Sequence, residues 1–193
     1  MGETSAPQPL AGIKVLDLSR VFAGPVCGRI LADLGADVVK VEPPEGDVTR
    51  LWGRKAAGLS TYYVQQNVGK QNISIDLRAD EGPELIRRLV EKADIVIENF
   101  RPGVMAKYGL EYDALKQLKP DLVMVSISGF GQDGPESGRA AYAAILHGEA
   151  GAINVSHGVQ AAHDVSFSAA DVLSGMHGVI GLLAALRVRD QTG

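Results

Sequence analysis

The 193-residue chain carries 19 Lys and Arg against 23 Asp and Glu, a net charge of −4, and one cysteine. This charge excludes an overall electrostatic pull toward nucleic acid or an anionic membrane, so any anionic ligand has to be held by local basic groups. The single cysteine, Cys27, excludes an internal disulfide framework and a multi-cysteine zinc site. The length suits one domain with a substantial core. No signal-like pattern opens the chain, which points to the cytosol. The first nine residues, "MGETSAPQP", read as a flexible lead-in. No apolar stretch reaches the ~20 residues of a membrane span, since "GVIGLLAAL" covers only half of that.

In chain order, "GIKVLDLS" (12–19) is a short apolar run with β-branched residues, as a buried strand requires. "AGPVCGRILADLG" then reads as a helix, with Pro25 at a first helical position, Gly35 at its end, and Val26, Ile30, Leu31 and Leu34 on one face. "ADVVKVE" (36–42) is a second strand and completes a βαβ unit. Residues 43–72 have no clean period. They hold "PPEGD", Trp52, Tyr62 and Tyr63, and read as a long surface excursion of the kind that is often functional. "NISIDLR" (72–78) is a third strand. "EGPELIRRLVEKA" (81–93) is an amphipathic helix with Leu85, Ile86, Leu89 and Val90 inward. "DIVIENF" (94–100) is a fourth strand, "EYDALKQLK" a short helix, and "LVMVSISGFG" (122–131) a fifth strand.

This alternation predicts an α/β fold, a doubly wound, mostly parallel sheet with helices on both faces. Beyond Gly131, "GQDGPESG" is a turn-rich loop, "AAYAAILHGEAGAI" starts as a helix, and "VSHGVQAAHDVS" is polar and irregular. A nearly all-apolar helix over 172–188 should be deeply buried. The chain then closes on "RVRDQTG", a polar turn expected to lead to another domain. The expected organisation is a lead-in over 1–9, one domain over 10–186 and the start of a linker over 187–193.

In such a sheet, ligands sit beyond the carboxyl ends of the strands. "SRVFAGP", "LRAD", "ENFRPGV" and "SGFGQDGP" occupy those places and should gather along one edge. Arg20, Arg78, Arg101, Lys107 and Arg139 stand near them and could fork onto phosphate oxygens, although solvation is the default for any one of them. No phosphate-cradling G-x-x-x-x-G-K-[ST] or G-x-G-x-x-G is present. Cys27 reads as a small buried hydrophobe. His147, His157, His163 and His177 lack metal-ligand spacing, and His177 reads as a hydrogen-bonded core residue. Asp171 has two open readings. It is an N-cap for the apolar helix, or a carboxylate kept ionised and aimed by the helix end, able to attack an acyl carbon.

Together, "PLAGIKVLDLSRVFAGPVCGRILADLGADVVKVEPPEGDVTR", "ADIVIENFRPGVMAKYGL", "SISGFGQDGP" and "ADVLSGMHGVIGLLAALRVRDQTG" resemble the family III CoA-transferases, which include formyl-CoA transferase and carnitine CoA-transferase. The resemblance covers nearly the whole chain. It implies a Rossmann-like sheet forming the N-terminal part of a larger, interlocked homodimer. It also implies transfer of CoA from an acyl-CoA to a small carboxylic acid through an aspartyl intermediate. No metal, nucleic acid or membrane is expected. The family's aspartate stands just before "GMH", which places it at Asp171. CoA contacts carried over fall at Phe22 and Ala23, at Ile75, Asp76, Leu77 and Arg78, at Asn99, Phe100 and Arg101, at Lys107, and at Ala140 and Tyr142.

The chain departs from the family pattern in three places. Gln71 follows Lys70 where the family's "NKRS" segment carries a basic residue. Pro43 follows the second strand where formyl-CoA transferase has an arginine. The family's glycine-rich active-site loop lies in a second half that this sequence does not include. Two alternatives stand beside CoA transfer. One is 2-methylacyl-CoA racemisation, whose His-Asp pair is replaced here by Tyr142 and Ala143. The other is a CoA-binding module without catalysis.

Overall fold

A computed structural model describes residues 8–155 and 167–192. The elements in chain order are β1 (Lys14–Asp17), α1 (Ala23–Asp33), β2 (Asp37–Glu42), a 3-10 turn at Val48–Leu51, β3 (Lys55–Ala56), β4 (Leu59–Ser60), α2 (Thr61–Asn67) and β5 (Gln71–Ser74). They continue with α3 (Gly82–Val90), β6 (Ile95–Glu98), α4 (Val104–Lys107), α5 (Tyr112–Leu118), β7 (Val123–Ser126), α6 (Ala143–Glu149), α7 (Ala152–Val155) and α8 (Ala169–Thr192).

Five strands pair in parallel in the order β5-β2-β1-β6-β7. Val15 of β1 lies opposite Val38 of β2 on one side and Ile95 of β6 on the other. β3 and β4 form a small antiparallel hairpin apart from this sheet. One face of the sheet packs Val15, Val38, Ile95 and Ile97 against α1 and α8 through Cys27, Leu31, Val179, Leu182 and Leu186. The other face packs Leu16, Val41 and Val96 against Ile86, Val90, Met105 and Leu115 of α3, α4 and α5. Strands covered on both faces have to be continuously apolar, and this is why their sequences are runs rather than alternations. The predicted doubly wound α/β sheet is therefore the observed fold.

Several expectations change. The third and fifth strands are shorter than their apolar runs, because ladder pairing stops at Ser74 and Ser126. On α3, Ile86 and Val90 are buried but Leu85 is 44 % exposed. Of the predicted lead-in, Gln8 and Pro9 lie within the described residues, and the Gln8 side chain packs over Gly35.

The largest correction concerns α8. It starts at Ala169 and runs through the polar stretch expected to be a turn, ending at Thr192. It has 24 residues, and an 18-residue stretch within it has a mean hydropathy of 1.6, so by length and composition alone it could cross a membrane, contrary to the sequence expectation. It is not deeply buried all round either. Gly175, Val179, Leu182 and Leu186 form a buried stripe at helical spacing, while Leu173, Met176, Ile180 and Val188 are exposed. Among the described residues α8 meets α1, β7 and α6.

Candidate active site

In the order β5-β2-β1-β6-β7 the chain direction of travel reverses between β1 and β6. The loops leaving two such neighbours diverge, which opens a crevice at their carboxyl ends. A cleft of about 270 Å³ lies there. Its walls are Arg20, Val21 and Ala23 after β1, residues Asn99 to Pro102 after β6, and Ile127 to Gly129 after β7. The 137–143 segment, with Ala140 and Tyr142, closes one side, and Asp171 and Ser174 of α8 close the other.

Asp171 reaches the cleft because α8 packs very close to α1. A side-chain carbon at Gly175 would sit 2.6 Å from the Ala23 carbonyl oxygen, so only glycine permits this approach. Gly24 of α1 permits a different approach, that of the loop after β1, where a side-chain carbon would overlap Ser19. Asp171 is the third residue of α8 and therefore lies inside the first turn, not at the cap. The cap interaction comes from elsewhere: the Ala170 amide donates to His147 Nε2 at 3.1 Å. Burial raises the Asp171 carboxyl above the ordinary carboxylate value, against the opposing pull of the Ala23 amide, its own amide and His147. The helix end thus moderates a burial effect that it does not overcome.

The excursion after β2 comes near this cleft without lining it. Tyr62 stacks tilted against Phe22 at 5.5 Å and meets Trp52 edge-on at 5.6 Å. The Tyr62 hydroxyl is pushed up by burial and by the charges of Asp171 and Asp47. Opposite, the Arg20 guanidinium lies 5.3 Å from the centre of the Phe100 ring. Asn99 holds Arg20 by its backbone, accepting the amide and donating to the carbonyl, each at 2.7 Å.

Seven of the residues expected at the site line this cleft: Ala23, Asn99, Phe100, Arg101, Ala140, Tyr142 and Asp171. Phe22 does not line it, although its neighbours Val21 and Ala23 do, and its ring packs on Tyr62. Ile75, Asp76, Leu77 and Arg78 do not line it. They follow β5, the edge strand two places from β1, and the exposed Arg78 pairs with Asp76 and Glu45. The "LRAD" loop therefore does not join the other three. Lys107, at the end of α4, is also outside the cleft and lies over the Tyr108 ring. Arg101 alone extends into a neighbouring depression of about 220 Å³ with Glu98, Glu111 and Gln132.

Cys27 is fully buried and its thiol is pushed up to about 12 by burial, then by Asp17, as an unreactive core residue requires. His177 is hydrogen-bonded as expected, with Nδ1 2.8 Å from the Leu173 carbonyl oxygen, but it is exposed and not in the core. His157 and His163 lie outside the described residues. Among the described residues no group of three or more His, Cys, Asp or Glu could hold a metal ion.

Two buried lysines escaped the sequence reading. Lys40 Nζ donates to the Ser19 carbonyl at 2.7 Å and lies 3.4 Å from Asp47 Oδ2. Lys70 Nζ contacts Asp17 Oδ2 at 2.8 Å and the Pro25 carbonyl at 2.8 Å. Burial opposes the Asp17 charge, but Lys70, Lys40 and Ser19 together hold its carboxyl below the usual range. The one sequence signal was a lysine in the middle of an apolar strand, "VVKVE", where a side chain facing solvent is not available.

The family model for CoA-transferase family III matches residues 10–193. A succinate–glutarate CoA-transferase of Agrobacterium fabrum is 45 % identical over 187 residues, covering 92 % of this chain and 47 % of that protein. The human succinyl-CoA:glutarate CoA-transferase is 37 % identical, covering 96 % of this chain and 43 % of that protein. A crystal structure of a CAIB/BAIF family protein from Brucella suis superposes with a TM-score of 0.93 at 43 % identity, covering 97 % of this chain and 51 % of that one. The chain thus spans about half the length of these relatives. With the family model matched over nearly its whole length, and the sheet order and cleft of a doubly wound fold beneath that match, this chain belongs to CoA-transferase family III.

Proposed function

We propose that the protein transfers CoA from an acyl-CoA donor to a carboxylic acid acceptor, with Asp171 as the group that carries the acyl and CoA intermediates. The observation that carries this reading is the placement of Asp171 in the cleft at the β1/β6 crevice, facing the Ala23 amide. An oriented carboxylate attacks the thioester carbonyl, the C–S bond breaks, and CoA thiolate leaves behind a mixed anhydride on Asp171. The thiolate attacks the aspartyl carbonyl and expels the donor acid, giving an aspartyl-CoA thioester. The acceptor carboxylate attacks that thioester, and the released thiolate takes the acceptor acyl group from the second anhydride. Asp171 is regenerated as a carboxylate. In the two steps at the aspartyl carbonyl, negative charge develops on its oxygen, where the Ala23 N–H is placed to receive it.

Arg20 and Arg101 give the cleft the local positive charge that an anionic substrate needs in a chain of net negative charge, while Arg139, also on its wall, is paired with Glu136 and Glu149. The relatives named for succinyl-CoA and glutarate support a dicarboxylyl-CoA donor and a short dicarboxylate acceptor. We place the working protein in the cytosol as a homodimer, in keeping with the family resemblance.

The test is exchange between succinyl-CoA and glutarate by the intact gene product, compared with Asp171→Ala. Loss of exchange by at least about a thousandfold with an unchanged melting curve is expected, because the variant has no group to carry the acyl. Mass spectrometry of the enzyme quenched during turnover should show CoA linked at Asp171. Exchange at the wild-type rate by the variant would overturn the reading. So would uptake of deuterium at the substrate α-carbon in the absence of an acceptor acid.

A further inference from the structure

Val21 has a φ of +67°, and among the described residues only Ala57 shares a positive φ without being glycine. A β-branched residue in the left-handed region is a genuine outlier, and such a conformation persists only when its surroundings over-determine it. The loop between β1 and α1 meets that condition. The Ser19 amide donates to Asp17 Oδ1 at 3.0 Å and its carbonyl accepts from Lys40 Nζ. Asn99 takes both backbone groups of Arg20. The Val21 amide donates to Asp47 Oδ2 at 3.1 Å. Two residues later the Ala23 amide faces Asp171.

Asp47 is itself fixed at every polar atom. Its Oδ1 accepts from the Thr49 amide at 3.0 Å and hydroxyl at 2.8 Å, and its own amide donates to Glu42 Oε2 at 2.7 Å. Lys40 and Asp47 are each about 1 % exposed. Burying such a pair is expensive, and an apolar pair of similar volume would serve packing alone as well or better. What an apolar pair could not do is hold a carbonyl and an amide of this particular loop.

We propose that Lys40 and Asp47 are positioning residues: they clamp the β1–α1 loop from beneath, hold Val21 in its left-handed turn, and so keep the Ala23 amide aimed at Asp171. This rests on the transferase reading above. The clamp acts on the geometry of the transition state at Asp171 and leaves the affinity for acyl-CoA to the cleft walls.

The test uses Lys40→Met/Asp47→Leu in the intact gene product, which removes both charges together so that neither is left buried alone. With succinyl-CoA and glutarate, kcat should fall by about a hundredfold, the cost of displacing a reacting group by ~1 Å, while KM for succinyl-CoA moves by less than about threefold. Adding Val21→Gly should recover about tenfold in kcat, because glycine adopts φ > 0 without a side-chain penalty. Because glycine at a positive φ also relieves strain in the fold, kcat is compared well below the melting temperatures of the double and triple variants, where recovery reports on the loop and not on the folded fraction. If the double variant fails to fold, Lys40→Leu/Asp47→Val, which also removes both charges together, carries the same reading. A crystal structure of either variant should show Val21 relaxed to negative φ and the Ala23 amide turned from Asp171.

Wild-type kcat in these variants, or no recovery on adding Val21→Gly, overturns the proposal while loss of exchange in Asp171→Ala leaves the transferase reading standing. Wild-type exchange in Asp171→Ala, or no exchange by the unaltered protein, removes that reading and the clamp's role with it.

Discussion

At the scale of single residues, the site depends on glycine as much as on aspartate. Gly175 lets α8 approach until its backbone lies against the Ala23 carbonyl, and the neighbour it would strike is backbone, which cannot swing away. Gly175→Ala should therefore cost about 1–3 kcal/mol in urea unfolding and lower CoA exchange with it, since Asp171 rides on the same helix. Asp171 itself was legible as chemistry only through the "ADVLSGMHG" resemblance. Local physics offered a cap or a nucleophile, and the structure moves Asp171 two residues inside the helix and gives the first-turn amide of Ala170 to His147. No local signal marks His147 for that task, because the pairing spans 23 residues and two helices.

At the scale of elements, the helices that cover the sheet were easy to find and harder to orient. The period of α3 was clear, yet four apolar residues shared the nominal inner face and only two are fully buried, Ile86 and Val90. Ile86→Ala should cost about 2–5 kcal/mol by thermal or urea unfolding. Leu85→Ala on the same helix should stay within about 0.5 kcal/mol, the ordinary range for an exposed position. α8 illustrates the opposite limit. A helix apolar on all sides carries no periodic signal, so its buried stripe cannot be read from the pattern and is set by what packs against it. Its length was misjudged for a related reason: the polar residues 187–192 look like a turn, but Arg189 pairs with Asp94 at 3.0 Å and the helix continues past it.

At the scale of the whole molecule, buried charge ties the excursion after β2 to the sheet. Glu42 accepts from Arg50 at 2.6 and 2.8 Å, from the Asp47 amide at 2.7 Å, and from the Tyr63 hydroxyl. Burial alone would raise its carboxyl, but the Arg50, Tyr63 and Asp47 hydrogen bonds overcome that and lower it to about 2. A depressed carboxylate stabilises the fold above its unfolded value, here 4.5, and loses that contribution as pH falls through the folded one. Unfolding free energy should therefore drop by roughly 3 kcal/mol between about pH 5 and pH 2 from this group. In Glu42→Gln, chemical denaturation across that pH range should show a correspondingly flatter profile.

What the sequence by itself determined was the succession of strands and helices, their parallel, doubly wound arrangement, and the family. Those rest on local periodicity and on contiguous motifs, information carried between near neighbours in the chain. Only the tertiary structure decided which strand-end loops share a cleft, since the order β5-β2-β1-β6-β7 sets the loop after β5 at the far edge. It likewise decided that Lys40 and Lys70 are buried. A charge leaves water only when its partners are in place, and Asp17, the partner of Lys70, is 53 residues away. The sheet brings Lys70 and Asp17 together across that distance, while Lys40 and Asp47, seven residues apart in the chain, meet only because the turn after β2 folds back beneath the β1–α1 loop.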